Sequence, residues 1–279
     1  MISGHAVARG WFPPRTPWHP GHHVAGPDGR PMRLAIIADV HSNLEAFEAV
    51  LHDCAKEPVS TIINLGDLVG YNASPGACVD LARRHQMISL QGNHDRAAVR
   101  PRFAEGFNIF AHQAVLWSAS ALTPEQKGFL ASLPDTLLLW DRYILFHGAP
   151  DNPEAYIFYL FQAKKAFAYM RKRLPAVQIA FFGHTHHRAV WQRDVRGRVQ
   201  SLPIPRGPMA LDPEEMYLIN PGSVGQPRNH HWEASYLIVT ADPPAIEFRL
   251  VPYDLRLAQA KIREARLPDY LAERLAAGV

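Results

Sequence analysis

The sequence predicts an α/β fold in which two β-sheets pack as a sandwich with helices outside. Short apolar runs that are typical of buried strands recur, among them residues 33–38, 61–65 and 177–182. Continuous apolar runs of this kind indicate parallel strands that are covered on both faces. Helix signals follow most of these runs, and two hairpin patterns come late in the chain. We expect the late hairpins to form the second sheet of the sandwich.

The composition excludes several classes of protein. A chain of 279 residues with 47% hydrophobic and 20% charged residues is ordinary for a globular protein, and no apolar run is long enough to cross a membrane. The formal charge of +3 comes from scattered basic residues, so a nucleic-acid partner is not indicated. Two cysteines, Cys54 and Cys78, fall in predicted helices, which favours a reducing, cytoplasmic setting. The composition leaves the oligomeric state open.

We expect three parts along the chain. Residues 1–31 are rich in proline, glycine and histidine without periodicity, which predicts a flexible arm. Residues 32–252 form the main domain, and residues 253–279 form a tail of two short helices that packs on it. Met32 stands immediately before the first strand, which raises the hypothesis that translation starts there.

Five short motifs each follow a predicted strand. They supply oxygen and nitrogen ligands without a thiol: Asp39, His41, Asp67, Asn93, His147, His184 and His186. Such a set suits two divalent or trivalent cations, with manganese first and iron, zinc or magnesium as alternatives. A structural zinc site would instead favour cysteines or a closed set of four ligands.

The first two strands carry carboxylates at their ends. Asp39 and His41 are two residues apart, so extended backbone directs both side chains to one side. Ser42 and Glu45 match a capping box and predict the start of the next helix. Asp67 follows the second strand, and its two oxygens suit one cation each, so we assign it as the bridge.

The third motif, Gly92-Asn93-His94-Asp95, is expected on a loop that leaves a buried strand. Asn93 offers a carbonyl ligand. His94 is not assigned as a metal ligand, because a histidine near its ordinary pKa is suited to protonating a leaving alkoxide. Asp95 is expected to orient either this loop or a neighbouring histidine.

The next segments alternate between helices and strands. Residues 100–135 are expected to be helical, with Thr123 and Gln126 marking one capped start. A strand at residues 143–146 brings in His147, and residues 151–174 are again expected to be helical.

The fifth strand, residues 177–182, leads to His184 and His186. Hairpins are predicted for residues 190–200 and 236–251. Between them, residues 220–228 are too rich in turn residues to read as core. Arg228 in this loop is a candidate phosphate clamp, and a surface arginine is an equally good interpretation.

These motifs, in this order, resemble the calcineurin-like metallophosphoesterase superfamily over residues 33–252, with bacterial members as the nearest pattern. The resemblance implies a four-layer α/β/β/α sandwich of two mixed β-sheets with metals at the strand ends. It implies one cation on Asp39, His41, Asp67 and His186, and another on Asp67, Asn93, His147 and His184. It also implies a metal-bridging hydroxide as nucleophile, His94 as general acid, and substrate contacts from Asn93, His94 and Arg228.

Three positions depart from related families. Phosphoprotein phosphatases and dinucleoside-tetraphosphate hydrolases carry an Asp-Arg pair where this chain has Gly70 and Tyr71, and an arginine where it has Gln91. The usual partner of the general acid is therefore missing. We expect hydrolysis of a small phosphomonoester or phosphodiester, nucleotide-like or generic. The alternatives are phosphoprotein or tetraphosphate hydrolysis and, in another class, a non-catalytic metal-bound scaffold for protein partners.

Overall fold

The computed structural model describes residues 32–279, so the predicted arm at residues 1–31 lies outside the described part of the chain. The described strands are β1 (Arg33–Ile37), β2 (Thr61–Asn64), β3 (Ile88–Ser89), β4 (Thr136–Leu139), β5 (Tyr143–Phe146), β6 (Ile179–Phe181), β7 (Arg188–Arg193), β8 (Val199–Leu202), β9 (Met209–Ala210), β10 (Met216–Pro221), β11 (Ala234–Thr240) and β12 (Ala245–Val251). The described helices are α1 (Leu44–Cys54), α2 (Pro75–Arg84), α3 (Asn93–Val99), α4 (Ile109–Ala121), α5 (Pro124–Ser132), α6 (Leu160–Arg173), α7 (Leu255–Glu264) and α8 (Asp269–Ala277), with a 3-10 turn at Pro101–Ala104.

The strands form two six-stranded mixed sheets, which confirms the predicted α/β class. The first has the order β3-β2-β1-β11-β12-β9 and the second β4-β5-β6-β10-β7-β8. The two predicted hairpins exist, but the expectation that they share one sheet is wrong. The hairpin β11–β12 joins the first sheet because β11 pairs with β1, and the hairpin β7–β8 joins the second because β7 pairs with β10.

The layers follow from alternation along the strands. In β1, Leu34 and Ile36 face a core between the two sheets, whereas Ala35 and Ile37 face the helices outside the first sheet. Phe167 of α6 packs in a third core on the outer face of the second sheet. Because helices cover both outer faces, the architecture is the predicted α/β/β/α sandwich.

The parallel strands determine where the motifs lie. In the first sheet β1, β2 and β3 are parallel to one another, and in the second β5, β6 and β10 are parallel. Ligands bind at the carboxyl ends of such strands in open α/β sheets. Each predicted ligand follows one of these strands within a few residues.

Several local predictions differ from the structure. Strands β4, β9 and β10 were not predicted, and residues 151–159 are irregular because α6 begins only at Leu160. The third motif is not on a loop, since Asn93 begins α3. Residues 220–227 are buried, although their turn residues predicted a surface loop.

The start of α1 also differs from the prediction. Asn43 is the N-cap, and its Oδ1 accepts the backbone N–H of Ala46 at 3.1 Å. The hydroxyl of Ser42 is buried without a hydrogen-bond partner. Glu45 does not reach back to the cap but forms an ion pair with Lys261 of α7. The capping box at residues 42–45 is therefore wrong, whereas Thr123 and Gln126 do form the one predicted for α5.

The two C-terminal helices are separated at Pro268, which is the N-cap of α8. Ile262 of α7 and Leu271 of α8 are buried in the same core as Phe47 of α1. Within residues 32–279, no helix is long and apolar enough to cross a membrane. Both cysteines are buried free thiols.

We predict that Asn43→Ala lowers the free energy of unfolding by about 1–3 kcal/mol, because α1 loses its cap and a buried hydrogen bond from Asn43 Nδ2 to the Gly225 carbonyl at 3.0 Å is lost. Ser42→Ala is the matched control and should change stability by less than about 0.5 kcal/mol, since it removes a hydroxyl without a partner. Urea denaturation measures both values. Equal losses in the two variants would contradict the cap assignment.

Candidate metal centre

All predicted ligands converge at the ends of the parallel strands, and none is more than 8% exposed. The donor atoms of six of them, together with those of His94, form three overlapping groups that could hold a metal ion, with the atoms of each group within 4.8 Å of one another. The groups are Asp39, His41 and His186; His41, Asp67 and His94; and Asp67, His147 and His184.

Backbone carbonyls determine which imidazole nitrogen faces the centre. The Nδ1 atoms of His41, His147 and His186 lie 3.0, 2.9 and 2.6 Å from the carbonyl oxygens of Val69, Leu65 and Gln226, respectively. A carbonyl can only accept a hydrogen bond, so each Nδ1 carries a proton, and in the neutral imidazole Nε2 keeps the lone pair.

The resulting lone pairs face one another. His41 Nε2 and His186 Nε2 are 3.1 Å apart. Two acceptor nitrogens at this distance cannot hydrogen-bond to each other when both are neutral, whereas a cation bound by both would remove the conflict. Nitrogen and oxygen donors without thiolate suit manganese, iron, zinc or magnesium, so the residues present fit the expected metal.

Asp67 lies between the histidines. Its Oδ2 is 3.2 Å from His147 Nε2 and 3.6 Å from His41 Nε2, whereas its Oδ1 accepts the backbone N–H of His94 at 2.8 Å. One oxygen of Asp67 therefore faces both sides of the centre. The assignment of one oxygen to each cation stays a prediction.

The remaining predicted ligands border the same volume. Asp39 Oδ1 lies 3.6 Å from His186 Nε2, and Asn93 Oδ1 lies 3.0 Å from His147 Nε2. His184 Nε2 donates to the Glu154 carbonyl at 3.2 Å, which leaves Nδ1 as its acceptor nitrogen.

Burial and mutual charge shift the pKa values of this cluster. Burial raises the pKa of Asp39 to about 7. Burial alone would raise the pKa of Asp67, but the charges of His147 and His94 outweigh it and lower that pKa. Burial opposes charge on His147, yet Asp67 raises its pKa to about 9. A proton is thus shared by the Asp67–His147 pair, and a cation that binds there must displace it.

The backbone is strained at the same residues. Asp39, His41, Asp67, His184 and His186 all have positive φ, between 47° and 65°. Left-handed backbone costs a residue other than glycine about 1–3 kcal/mol and concentrates at functional sites. This strain directs side chains from three loops toward one point.

Asp95 orients the loop rather than a histidine. Its carboxylate accepts the backbone N–H groups of Asp67, Gly92 and Val69 at 2.8, 3.0 and 3.1 Å. It therefore ties the loop after β2 to the start of α3, which decides between the two roles expected for this residue. Burial, followed by the charge of Asp67, raises the pKa of Asp95 to about 7.

Aromatic rings, and not a carboxylate, surround His94. The rings of His41, Tyr71 and Phe107 lie 4.8, 4.7 and 4.7 Å from its centroid, and its Nδ1 is buried without a hydrogen-bond partner. Gly70 has a φ of 98°, and an added Cβ there would clash with His94 Nδ1. Packing thus orients His94, and its burial lowers its pKa to about 4.

Arg228 lies at the edge of the centre. Its Nη2 is 3.5 Å from the Tyr71 hydroxyl and 3.3 Å from Gln226 Oε1. Burial lowers the pKa of His186, and the charge of Arg228 lowers it further. The structure thus places this arginine beside the predicted ligands. Its partial burial disfavours the interpretation as a solvated surface residue, and its role as a phosphate clamp stays a prediction.

Two residues near the centre were missed by the sequence analysis. Tyr156 stacks on His184 with ring centroids 4.2 Å apart, in the segment wrongly predicted as helix. Arg274 of α8 lies 5.6 Å from the centroid of the Tyr71 ring. No local motif marks either residue, because each reaches the centre only through tertiary packing.

A buried aspartate and histidine cluster at the ends of parallel strands in a mixed α/β/β/α sandwich defines the class of the protein as a metallophosphoesterase. The chain belongs to the calcineurin-like phosphoesterase superfamily, whose domain model matches residues 32–243. This confirms the resemblance found in the sequence, and the family implies a phosphoester hydrolase.

Similar proteins cover nearly the whole chain. A metallophosphoesterase from Sphaerobacter thermophilus, known as a crystal structure, is 38% identical, with a TM-score of 0.77 over 90% of this chain and 100% of that one. An uncharacterized protein of Methanocaldococcus jannaschii is 37% identical over 248 residues, which is 88% of this chain and 98% of that protein. A hypothetical protein from Pyrococcus horikoshii OT3 shares the fold at 18% identity, with a TM-score of 0.70 over 89% and 99% of the two chains.

We predict that Gly70→Ala displaces His94 and lowers the free energy of unfolding by about 1–3 kcal/mol, because alanine at positive φ is strained and its Cβ meets the imidazole. Gly128→Ala is the matched control. It lies inside α5 with open space around it and should stabilise the protein by about 0.5–1 kcal/mol. Denaturation curves for both variants test this, and an unaffected Gly70→Ala protein would contradict the packing role.

Proposed function

We propose that the protein is a dinuclear-metal-dependent phosphoesterase that hydrolyses a small phosphomonoester or phosphodiester, nucleotide-like or generic. The observation that carries this proposal is the opposed pair of Nε2 atoms of His41 and His186, 3.1 Å apart, beside Asp67. A structural role would not require imidazole lone pairs to face each other in a buried site. Binding of cations is the simplest purpose for that arrangement.

The proposed ligand sets follow the observed groups. One cation is assigned to Asp39, His41, Asp67 and His186, and the other to Asp67, Asn93, His147 and His184. The grouping of Asp39 with His41 and His186, and of Asp67 with His147 and His184, supports this division. The position of Asp67 Oδ2 between His147 and His41 supports its assignment as the shared ligand.

The chemistry is divided between the metals and the chain. Two bound cations would provide hydroxide near neutral pH and neutralise the phosphate oxygens. His94 is the proposed proton donor to the leaving oxygen. Burial lowers its pKa to about 4, so the imidazolium form must be favoured by the negative charge of an arriving phosphate. Arg228 is the proposed phosphate contact, together with Asn93.

Two alternatives are less well supported. Phosphoprotein phosphatase and tetraphosphate hydrolase activity would require an Asp-Arg pair at Gly70 and Tyr71, and Gln91 is bonded to the Leu130 carbonyl at 2.7 Å and to Arg96 rather than facing the centre. A non-catalytic scaffold would not need an intact ligand set together with His94. We also propose a cytoplasmic location, because two free cysteines are typical of a protein in a reducing compartment.

We predict that metal removal abolishes hydrolysis of p-nitrophenyl phosphate and bis-p-nitrophenyl phosphate, and that manganese, zinc or magnesium restores it. Asp67→Asn should lower turnover by on the order of a hundredfold or more, because an amide cannot supply the shared negative charge. The better substrate separates monoester from diester chemistry. Two bound metals per chain without turnover of either substrate would favour the scaffold.

We also predict that His94→Ala lowers turnover by on the order of a hundredfold or more while metal content stays unchanged, because the leaving oxygen loses its proton donor. Elemental analysis must accompany the assay, since His94 also falls in one of the groups that could hold a metal. A fall in metal content would make His94 a ligand. Unchanged turnover would remove it from the mechanism.

A further inference from the structure

Two arginines from distant parts of the chain meet at one aromatic ring beside the candidate metal centre. Arg228 follows β10, and Arg274 lies in α8, outside the segment matched by the family model. Arg274 Cζ lies 5.6 Å from the centroid of the Tyr71 ring, and Arg228 Nη2 lies 3.5 Å from the Tyr71 hydroxyl. The Tyr71 ring in turn lies 4.6 Å from His41 and 4.7 Å from His94.

Within residues 32–279, neither guanidinium forms an ion pair with an aspartate or glutamate side chain. Burial lowers the pKa of Arg274, and the nearby charge of Arg228 lowers it further. Like charges held together at a half-buried position are unfavourable unless an anion lies between them.

A buried hydrogen-bond donor without a partner also points to an anion beside these arginines. Arg228 Nε is buried without a hydrogen-bond partner. Arg274 Nε donates to an oxygen of Val279 at 2.7 Å, which holds the guanidinium in place beside the Tyr71 ring. A guanidinium presents several donors in a planar fork that matches phosphate or carboxylate oxygens.

The arginines lie at different depths. Arg228 Nη2 lies 3.3 Å from Oε1 of Gln226, the residue whose carbonyl accepts the hydrogen bond from His186 Nδ1 at 2.6 Å. Arg274 lies one ring further out, on Tyr71. An anion held by both arginines would therefore occupy a position of its own, next to the phosphoryl group that the metals would hold.

We infer that Arg274 binds a second anionic group of the substrate, which Arg228 also borders while it contacts the reacting phosphate, so that the preferred substrates carry a second phosphate or a similar anion near the reacting phosphoester. This inference rests on the proposed function, because it needs a first phosphoryl group at the metals. It assigns a role in substrate recognition to α8. The simplest substrates of this class are diphosphates.

Direct binding to the metal-loaded protein tests the inference without turnover. Isothermal titration calorimetry compares inorganic phosphate with methylene-, ethylene- and propylene-diphosphonate. We expect at least one diphosphonate to bind about tenfold more tightly than phosphate, and Arg274→Gln to remove that advantage, because a charge-assisted hydrogen bond to the second group is lost. Arg228→Gln should weaken phosphate and diphosphonate together, since it lies nearer the centre.

The controls separate charge from structure. Arg256→Gln removes the same charge from an exposed position of α7 and should leave the diphosphonate advantage intact. Arg274→Lys keeps the charge and should retain much of the advantage. A wild-type protein without any diphosphonate advantage, or an Arg274→Gln protein that keeps it, overturns the inference. Equal losses in Arg274→Gln and Arg274→Lys with a lowered melting temperature would also overturn it, by reducing the role of Arg274 to packing.

The outcomes for the two proposals remain distinct. Phosphate that binds the metal-loaded protein without any preference for diphosphonates contradicts only the second anion site. A protein that takes up no metal, or that binds neither phosphate nor diphosphonate when loaded, contradicts the proposed function and the inference with it.

Discussion

The centre depends on three hydrogen bonds in which histidine Nδ1 atoms donate to backbone carbonyls. These bonds hold His41, His147 and His186 with their Nε2 lone pairs directed at one buried volume. The accepting carbonyls belong to Leu65 and Val69, which follow β2 of the first sheet, and to Gln226, which follows β10 of the second. The bond from His147, which follows β5 of the second sheet, to Leu65 of the first makes its orientation depend on how the two sheets pack, whereas the bonds of His41 and His186 each join loops of one sheet.

Backbone strain is concentrated in the same loops, and the surrounding hydrogen bonds maintain it. Asp95 accepts two backbone N–H groups of the loop after β2 and a third from Gly92 at the start of α3, and Ser223 Oγ donates to the Asp39 carbonyl at 2.8 Å. Asn43 links the start of α1 to Gly225 at 3.0 Å. Positive φ values at Asp39 and Asp67 persist because these contacts leave the loops no relaxed alternative. Such strain is typical of a site that is organised before its ligand arrives.

The missing aspartate at position 70 changes how His94 is held. A hydrogen bond to a carboxylate would both orient the imidazole and favour its charged form. Here rings of Tyr71 and Phe107 orient it, and burial disfavours the charge. The protonation of His94 then depends more strongly on the charge of what is bound nearby, which couples this residue to the substrate. Arg228 and Arg274 also contact Tyr71, at 3.5 Å from its hydroxyl and 5.6 Å from its ring centroid, respectively.

The sequence alone determined the alternation of strands and helices, the family and the candidate metal ligands, because apolar runs, caps and strand-end motifs are local patterns. Local patterns could not show which sheet each hairpin joins, since that choice depends on β11 pairing with β1 and β7 pairing with β10 across long stretches of chain. They misassigned the N-cap of α1, because a hydrogen bond to the distant Gly225 holds Asn43 at that position. Strand β10 was not predicted because it ends in turn-forming residues, and no local sequence pattern marked Arg274 or Tyr156. Only the tertiary structure brought them to the centre, because their positions depend on packing between elements that are distant in sequence.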